Sequence, residues 1–191
     1  MKKNLKDYIV KTPFLDREFC NDTIQKLKDI EKLNWQQHTF YNSNTNTYKP
    51  KSGNYELDVL YTDNIENTKL IMKKLWSGID NYIKTFNFTW FDDWQGYTSI
   101  RYNRYVENRK MALHCDHIHS MFEGKRKGIP IISCLGVLND DYEGGEFIMF
   151  DDYKVEFKQG DLVIFPSNFL YPHKVEPVTK GTRYSYISWV W

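Results

Sequence analysis

The sequence has almost no net charge, no cysteine pair and no long apolar run. Lys plus Arg number 26 and Asp plus Glu number 25, a formal charge of +1 over 191 residues. A balance this close to zero gives neither the global polycation that follows nucleic-acid backbones nor the acidic tail that seeks basic partners. The three cysteines, Cys20, Cys115 and Cys134, are odd in number and widely spaced. They form no CxxC pair, so neither a disulfide framework nor a zinc ribbon is expected, and a reducing, cytoplasmic setting fits. No stretch of about 18 apolar residues occurs, so no membrane-spanning helix is expected. The opening MKKNLKDYIVKTPF has no apolar core of the kind a secretory signal needs. Repeats and low-complexity tracts are also missing. A chain of this length can bury a full core without covalent staples, as one domain over 1–191.

Aromatic residues are plentiful, at 17% with 14 Tyr and 6 Trp, which suits a tyrosine-rich β core. The chain changes character near residue 95. Before it, Asp16 is placed to cap a helix running to about Leu33, with Phe19, Ile24, Leu27 and Ile30 on one face. A second helix is predicted over Ile65 to Phe86, with Leu70, Met72, Leu75, Ile79 and Ile83 toward the core. Between them, Trp35 to Leu60 reads as a strand or two around a polar loop, Asn42 to Asn54. Residues 1–94 are expected to act as a helical support, with the Asn42 to Asn54 loop as a lid region. From residue 95 the pattern is short strands and turns. Strands are predicted over Tyr97–Tyr105, Met111–His114, Pro130–Leu138, Gly145–Met149, Lys154–Phe157, Asp161–Phe165, His173–Val175 and Arg183–Val190. Such spacing suggests a sandwich or a closed barrel.

Chemistry concentrates in this second half. His114-Cys115-Asp116 would put an imidazole and a carboxylate on one strand face, because strand side chains alternate with period two. Alone the pairing is weak, since five His and the many Asp give about 0.4 chance matches in a chain this long. A lone histidine such as His173 is weaker still. Together, two imidazoles and one carboxylate make the facial set expected of a non-haem Fe(II) oxygenase, with coordination positions left open. Arg183 follows His173 on the next predicted strand, with Ser185 on the same face. A buried arginine needs an anion, and its planar fork matches a carboxylate.

The stretches RYNRYVENRKMALHCD, CLGVLNDDYEGGEFIMF and KQGDLVIFPSNFLYPHKVEPVTKGTRYSYISWVW, with TPFLDREFCNDTI near the start, carry a family resemblance. The segment Arg101 to Trp191 resembles the catalytic domain of 2-oxoglutarate/Fe(II)-dependent dioxygenases, in their prolyl 4-hydroxylase-like branch. The resemblance implies a mainly β fold with flanking α, a double-stranded β-helix (a jelly-roll or cupin-like barrel) over 95–191, supported by N-terminal helices. It implies that His114, Asp116 and His173 bind iron, that Arg183 holds the distal carboxylate of 2-oxoglutarate, and that Tyr105 lines the co-substrate pocket. O2 would be the other co-substrate, with ascorbate supporting turnover.

Departures from the family pattern are local. Asn108 stands where the family often has glycine. Val137 stands where some prolyl hydroxylases have a tyrosine that helps hold the distal carboxylate. Valine cannot hydrogen-bond, so Ser185 and a tyrosine elsewhere become the candidate partners of Arg183. Trp189 stands where the nucleic-acid demethylase branch usually has a second arginine, which disfavours a nucleic-acid substrate. The leading expectation is hydroxylation of a prolyl residue in a peptide or protein. The alternatives are a free amino acid, another small molecule or a base as substrate, and a jelly roll that binds without turnover. His117 and His119 are expected near the mouth of the site, and Lys125-Arg126-Lys127 in a solvated loop. Gly144 and Gly145 are expected in a tight turn or bulge. Arg101, Asn103 and Trp189 have the strand parity to face the cavity.

Overall fold

The computed structural model describes residues 4–29, 34–42, 44–50, 55–87, 94–116 and 130–191. After a single turn of 3-10 helix at Leu5–Tyr8, strand β1 covers Val10–Pro13 and helix α1 covers Arg17–Asp29. Asp16 starts α1 as the sequence suggests: its Oδ1 accepts from the Phe19 amide at 2.7 Å. Residues 30–33, where the helix was expected to continue, lie outside the described residues. Short strands β2 (Gln36–Gln37), β3 (Phe40–Asn42), β4 (Thr47–Lys49) and β5 (Asp58–Leu60) follow, then helix α2 over Glu66–Phe86. Helix α2 ends where Asn87 takes a left-handed conformation, φ 46°, and its amide bonds back to the Ile83 carbonyl. Of the polar loop expected over Asn42 to Asn54, the described part is the β3–β4 hairpin; residues 43 and 51–54 lie outside.

The second half is built from β6 (Arg101–Tyr105), β7 (Met111–His114), β8 (Ile132–Val137), β9 (Glu143–Gly144), β10 (Phe147–Met149), β11 (Tyr153–Lys154), β12 (Asp161–Pro166), β13 (His173–Val175), β14 (Val178–Lys180) and β15 (Arg183–Val190). The expected strands at Met111, His173 and Arg183 match these bounds. Others are corrected. The strand expected from Tyr97 begins at Arg101, with Tyr97 contributing only an isolated bridge to Val190. The strand expected over Lys154–Phe157 is instead Tyr153–Lys154, and β1, β9 and β14 were not anticipated.

The strands form a seven-stranded sheet in the order β1-β12-β8-β15-β6-β5-β2 and a four-stranded sheet in the order β11-β10-β13-β7. Every strand pairing in both sheets is antiparallel. The two sheets make a jelly roll with its helices on one side.

Alternation along the large sheet separates two cores. Tyr102, Ile132, Cys134, Leu162, Ile164, Tyr184, Tyr186 and Val190 pack with Leu27, Ile71, Leu75 and Ile79 of the helices. The intervening Tyr105, Leu135, Val163 and Phe165 face the other way. They share a second core with Met111, Phe147, Met149 and Val175 of the small sheet. One face of each strand therefore holds the helices and the other faces the space between the sheets. Each fully buried Leu or Ile of α2 contributes about 1.5–3 kcal/mol by leaving water. Leu70 departs from expectation. It is 48% exposed, while Ile71 is fully buried in its place, so the apolar stripe runs one position out of phase at its first turn.

Candidate functional site

The space between the sheets contains a cavity lined by Arg101, Asn103, Tyr105, Met111, His114, Asp116, Leu135, Phe147, Phe165, His173, Val175, Arg183 and Ile187. His114 is the last residue of β7 and pairs with His173, the first of β13. Asp116 lies just beyond β7. The strand pairing and the period-two spacing together bring three side chains to one point. Asp116 Oδ1 lies 3.5 Å from His114 Nε2 and 3.6 Å from His173 Nε2. One ligand atom from each of the three lies within 4.8 Å of the others. Among the described residues this is the one group of three or more His, Cys, Asp or Glu so placed.

Each ligand is oriented by a further bond. The Nδ1 atoms of His114 and His173 donate to the carbonyls of Ala112 and Tyr171, at 2.8 and 3.0 Å. That leaves both Nε2 atoms with lone pairs directed at the common point. Asp116 Oδ2 accepts from the Ser133 hydroxyl on β8, which in turn contacts the Ser167 hydroxyl. The carboxylate is thus fixed through one oxygen and offers the other. Burial opposes ionisation of Asp116, but the two imidazoles outweigh it and hold the carboxyl well below its usual range. Burial also opposes charge on His173, and Asp116 reverses that, raising the imidazole above its ordinary value. The site is a negative centre flanked by two bases, the electrostatic form of a cation site.

A second polar group sits deeper in the barrel. Arg183 is 1% exposed. Its Nε donates to the Tyr142 hydroxyl at 3.2 Å and its Nη1 to Ser185 Oγ at 3.1 Å. The guanidinium lies over the Tyr105 ring, 4.9 Å from its centroid, and 5.6 Å from that of Phe157. Its Nη2 is buried with no acceptor among the described residues. A buried cationic donor left open costs free energy unless an acidic ligand completes it. Gly145, with φ +65°, passes close by; a Cβ there would come within 3.2 Å of Arg183 Cδ.

Sequence reasoning thus gathers His114, Asp116, His173, Arg183, Ser185 and Tyr105 around one cavity, and Arg101 and Asn103 line it too. It missed Tyr142, the hydroxyl that meets Arg183 in place of one at Val137. The Tyr-Glu-Gly-Gly run of residues 142–145 was a usable signal, because a turn there returns the chain to the rim. It also missed Ser133, although its odd number on β8 shares the parity of the inward-facing Leu135. His117, His119 and Lys125 to Lys127 lie outside the described residues.

The fold is a jelly roll in which a convergent His114-Asp116-His173 group shares a cavity with a buried arginine. Residues 100–191, just under half of the chain, match the model of the 2OG-Fe(II) oxygenase superfamily. A PKHD-type hydroxylase of Xylella fastidiosa (strain M23) is 38% identical over 107 residues, covering 47% of this chain and 43% of that protein. One of Stenotrophomonas maltophilia (strain R551-3) is 36% identical over 99 residues, covering 49% and 43%. The chain spans less than half the length of these curated relatives. Among solved structures, a prolyl-4-hydroxylase of Pseudomonas putida aligns with TM-score 0.64 at 16% identity, over 95% of this chain and 91% of the other. A prolyl hydroxylase in complex with a hypoxia inducible factor oxygen degradation domain peptide fragment, from Trichoplax adhaerens, aligns with TM-score 0.68 at 17% identity, over 96% and 83%. At these identities the structural likeness speaks for the fold.

Proposed function

We propose that the protein is an Fe(II)- and 2-oxoglutarate-dependent hydroxylase, acting on a prolyl residue of a peptide or protein. The observation that carries this is the pairing, in one cavity, of the convergent His114, Asp116 and His173 with a buried Arg183 whose Nη2 has no acceptor among the described residues. Two neutral imidazoles and a carboxylate fit a ferrous ion and leave positions open for co-substrate and O2. Ferrous iron bound there supplies oxygen activation, coupled to conversion of 2-oxoglutarate to succinate and CO2.

The chain's own part is binding, orientation and exclusion of water. Arg183, steadied by Tyr142 and Ser185, receives the distal carboxylate through Nη2 and so sets how far the co-substrate enters. Tyr105, 3% exposed, forms the apolar wall beneath that guanidinium. Leu135, Phe147, Phe165 and Val175 keep the chamber dry, which strengthens each of these electrostatic contacts. The reading of a prolyl substrate draws on the structural neighbours, a prolyl-4-hydroxylase of Pseudomonas putida and the peptide-bound prolyl hydroxylase of Trichoplax adhaerens.

The test supplies purified protein with Fe(II), ascorbate, 2-oxoglutarate and O2, with and without a library of proline-containing peptides. Succinate is quantified and products are weighed for an added oxygen. Succinate that disappears in Asp116→Ala, with a peptide gaining one oxygen, is the expected result. No succinate under any condition, or succinate that survives Asp116→Ala, would sink the reading.

A further inference from the structure

The cavity holds a second guanidinium that the proposed chemistry does not use. Arg101 faces the same space as Arg183 but from the other end of the large sheet. Arg183 pairs with Tyr105, whereas Arg101 pairs with Ile187. The strand between Arg183 and Ile187 spans about 13 Å. Next along β15, Trp189 pairs with Ser133, the residue that holds Asp116. Arg101 and Trp189 therefore lie at the metal end, away from the distal-carboxylate end.

Arg101 is built in rather than loose. Its Nε donates to Asn103 Oδ1 at 3.0 Å, and its guanidinium lies over the Trp189 ring, 5.0 Å from the centroid. That places the planar fork and leaves its two Nη groups without a partner among the described residues. Trp189 is 6% exposed, and its indole N–H is likewise buried with no acceptor among them. Two kinds of unanswered donor, one of them cationic, meet at one place. Among the described residues the lining has one carboxylate, Asp116, which the metal would engage. A fork placed over an indole, with its Nη edge unpaired among the described residues, matches a carboxylate better than a neutral carbonyl, because two parallel charged bonds form at once.

We propose that Arg101 binds a carboxylate of the peptide substrate beside the residue to be oxidised, so the protein selects acidic peptides. This rests on the hydroxylase reading above and adds to it the charge of the substrate.

The probes are short proline-centred peptides in matched pairs: Glu beside proline with an amidated C-terminus against Gln at the same position, and proline with a free C-terminal carboxylate against its amide. Turnover gives KM for each peptide and for 2-oxoglutarate. Fluorescence anisotropy of dye-labelled versions on protein loaded with Mn(II) and 2-oxoglutarate gives affinity without turnover. The wild type should favour one carboxylate member by about tenfold or more, the worth of a lost charge-assisted pair. Arg101→Gln should erase that preference, and Arg101→Glu should turn it toward a Lys-flanked peptide. Preference for the Glu pair assigns the carboxylate to a side chain, and preference for the other pair assigns it to a chain terminus. The proposal is overturned if the wild type shows no preference, if Arg101→Gln keeps it, or if the variant raises KM for 2-oxoglutarate as much as for peptide. Absent succinate with charge-selective binding intact would remove the hydroxylase reading and leave the carboxylate site standing.

Discussion

Arg183 shows how a single position combines legible and illegible information. Its burial and its need for an anion could be argued from strand parity and the chemistry of guanidinium. Its partner could not, because Tyr142 lies outside any strand and reaches Arg183 only by the path the chain takes through Gly144 and Gly145. Tyr142→Phe removes the hydroxyl that accepts from Nε and lets the guanidinium turn. KM for 2-oxoglutarate should rise about tenfold with a smaller change in kcat. An unchanged KM would show that Tyr142 does not position the arginine. The same logic applies to Ser133, whose hydroxyl fixes Asp116 Oδ2. Ser133→Ala should weaken Mn(II) binding about 10–100-fold, read by calorimetry, while the metal-free unfolding midpoint moves little. Equal losses in both would mark Ser133 as a packing residue only.

Elements were most legible where periodicity was strong. Helix α2 and strands β7, β13 and β15 match their expected bounds to within a residue. The short strands β1, β9 and β14 were hidden, because two to four residues carry too little pattern to stand out from turns. The phase of α2 at Leu70 was also missed, since helical spacing defines a stripe but packing decides which edge of it is covered. Packing between elements explains Gly136 on β8 as well. It lies opposite Tyr186 of β15, and a Cβ there would fall within the tyrosine ring. Gly136→Ala should cost about 1–3 kcal/mol or more in urea unfolding. Combining it with Tyr186→Leu should cost less than the sum of the two single changes. Strict additivity would contradict the contact.

Across the whole molecule, the helices of the first half and the strands of the second share one buried core, while the site uses only the opposite face of those strands. Ligands should therefore stabilise everything together. Mn(II) and 2-oxoglutarate at about a hundredfold excess over their dissociation constants should each add about 2.7 kcal/mol, seen as a higher midpoint of one thermal transition. Asp116→Ala should lose the metal-dependent part, and two separate transitions would show that the halves unfold independently. The alternation of β15 has a harsher consequence. Tyr184 and Tyr186 belong to the helix side, Arg183 and Ser185 to the chamber. A slip of one residue in this strand would exchange the two sets wholesale. Two bulky phenols would block the chamber, and a charge would be driven among the helices. One deleted residue in the strand is thus an all-or-nothing frameshift of function, felt by catalysis and folding at the same stroke.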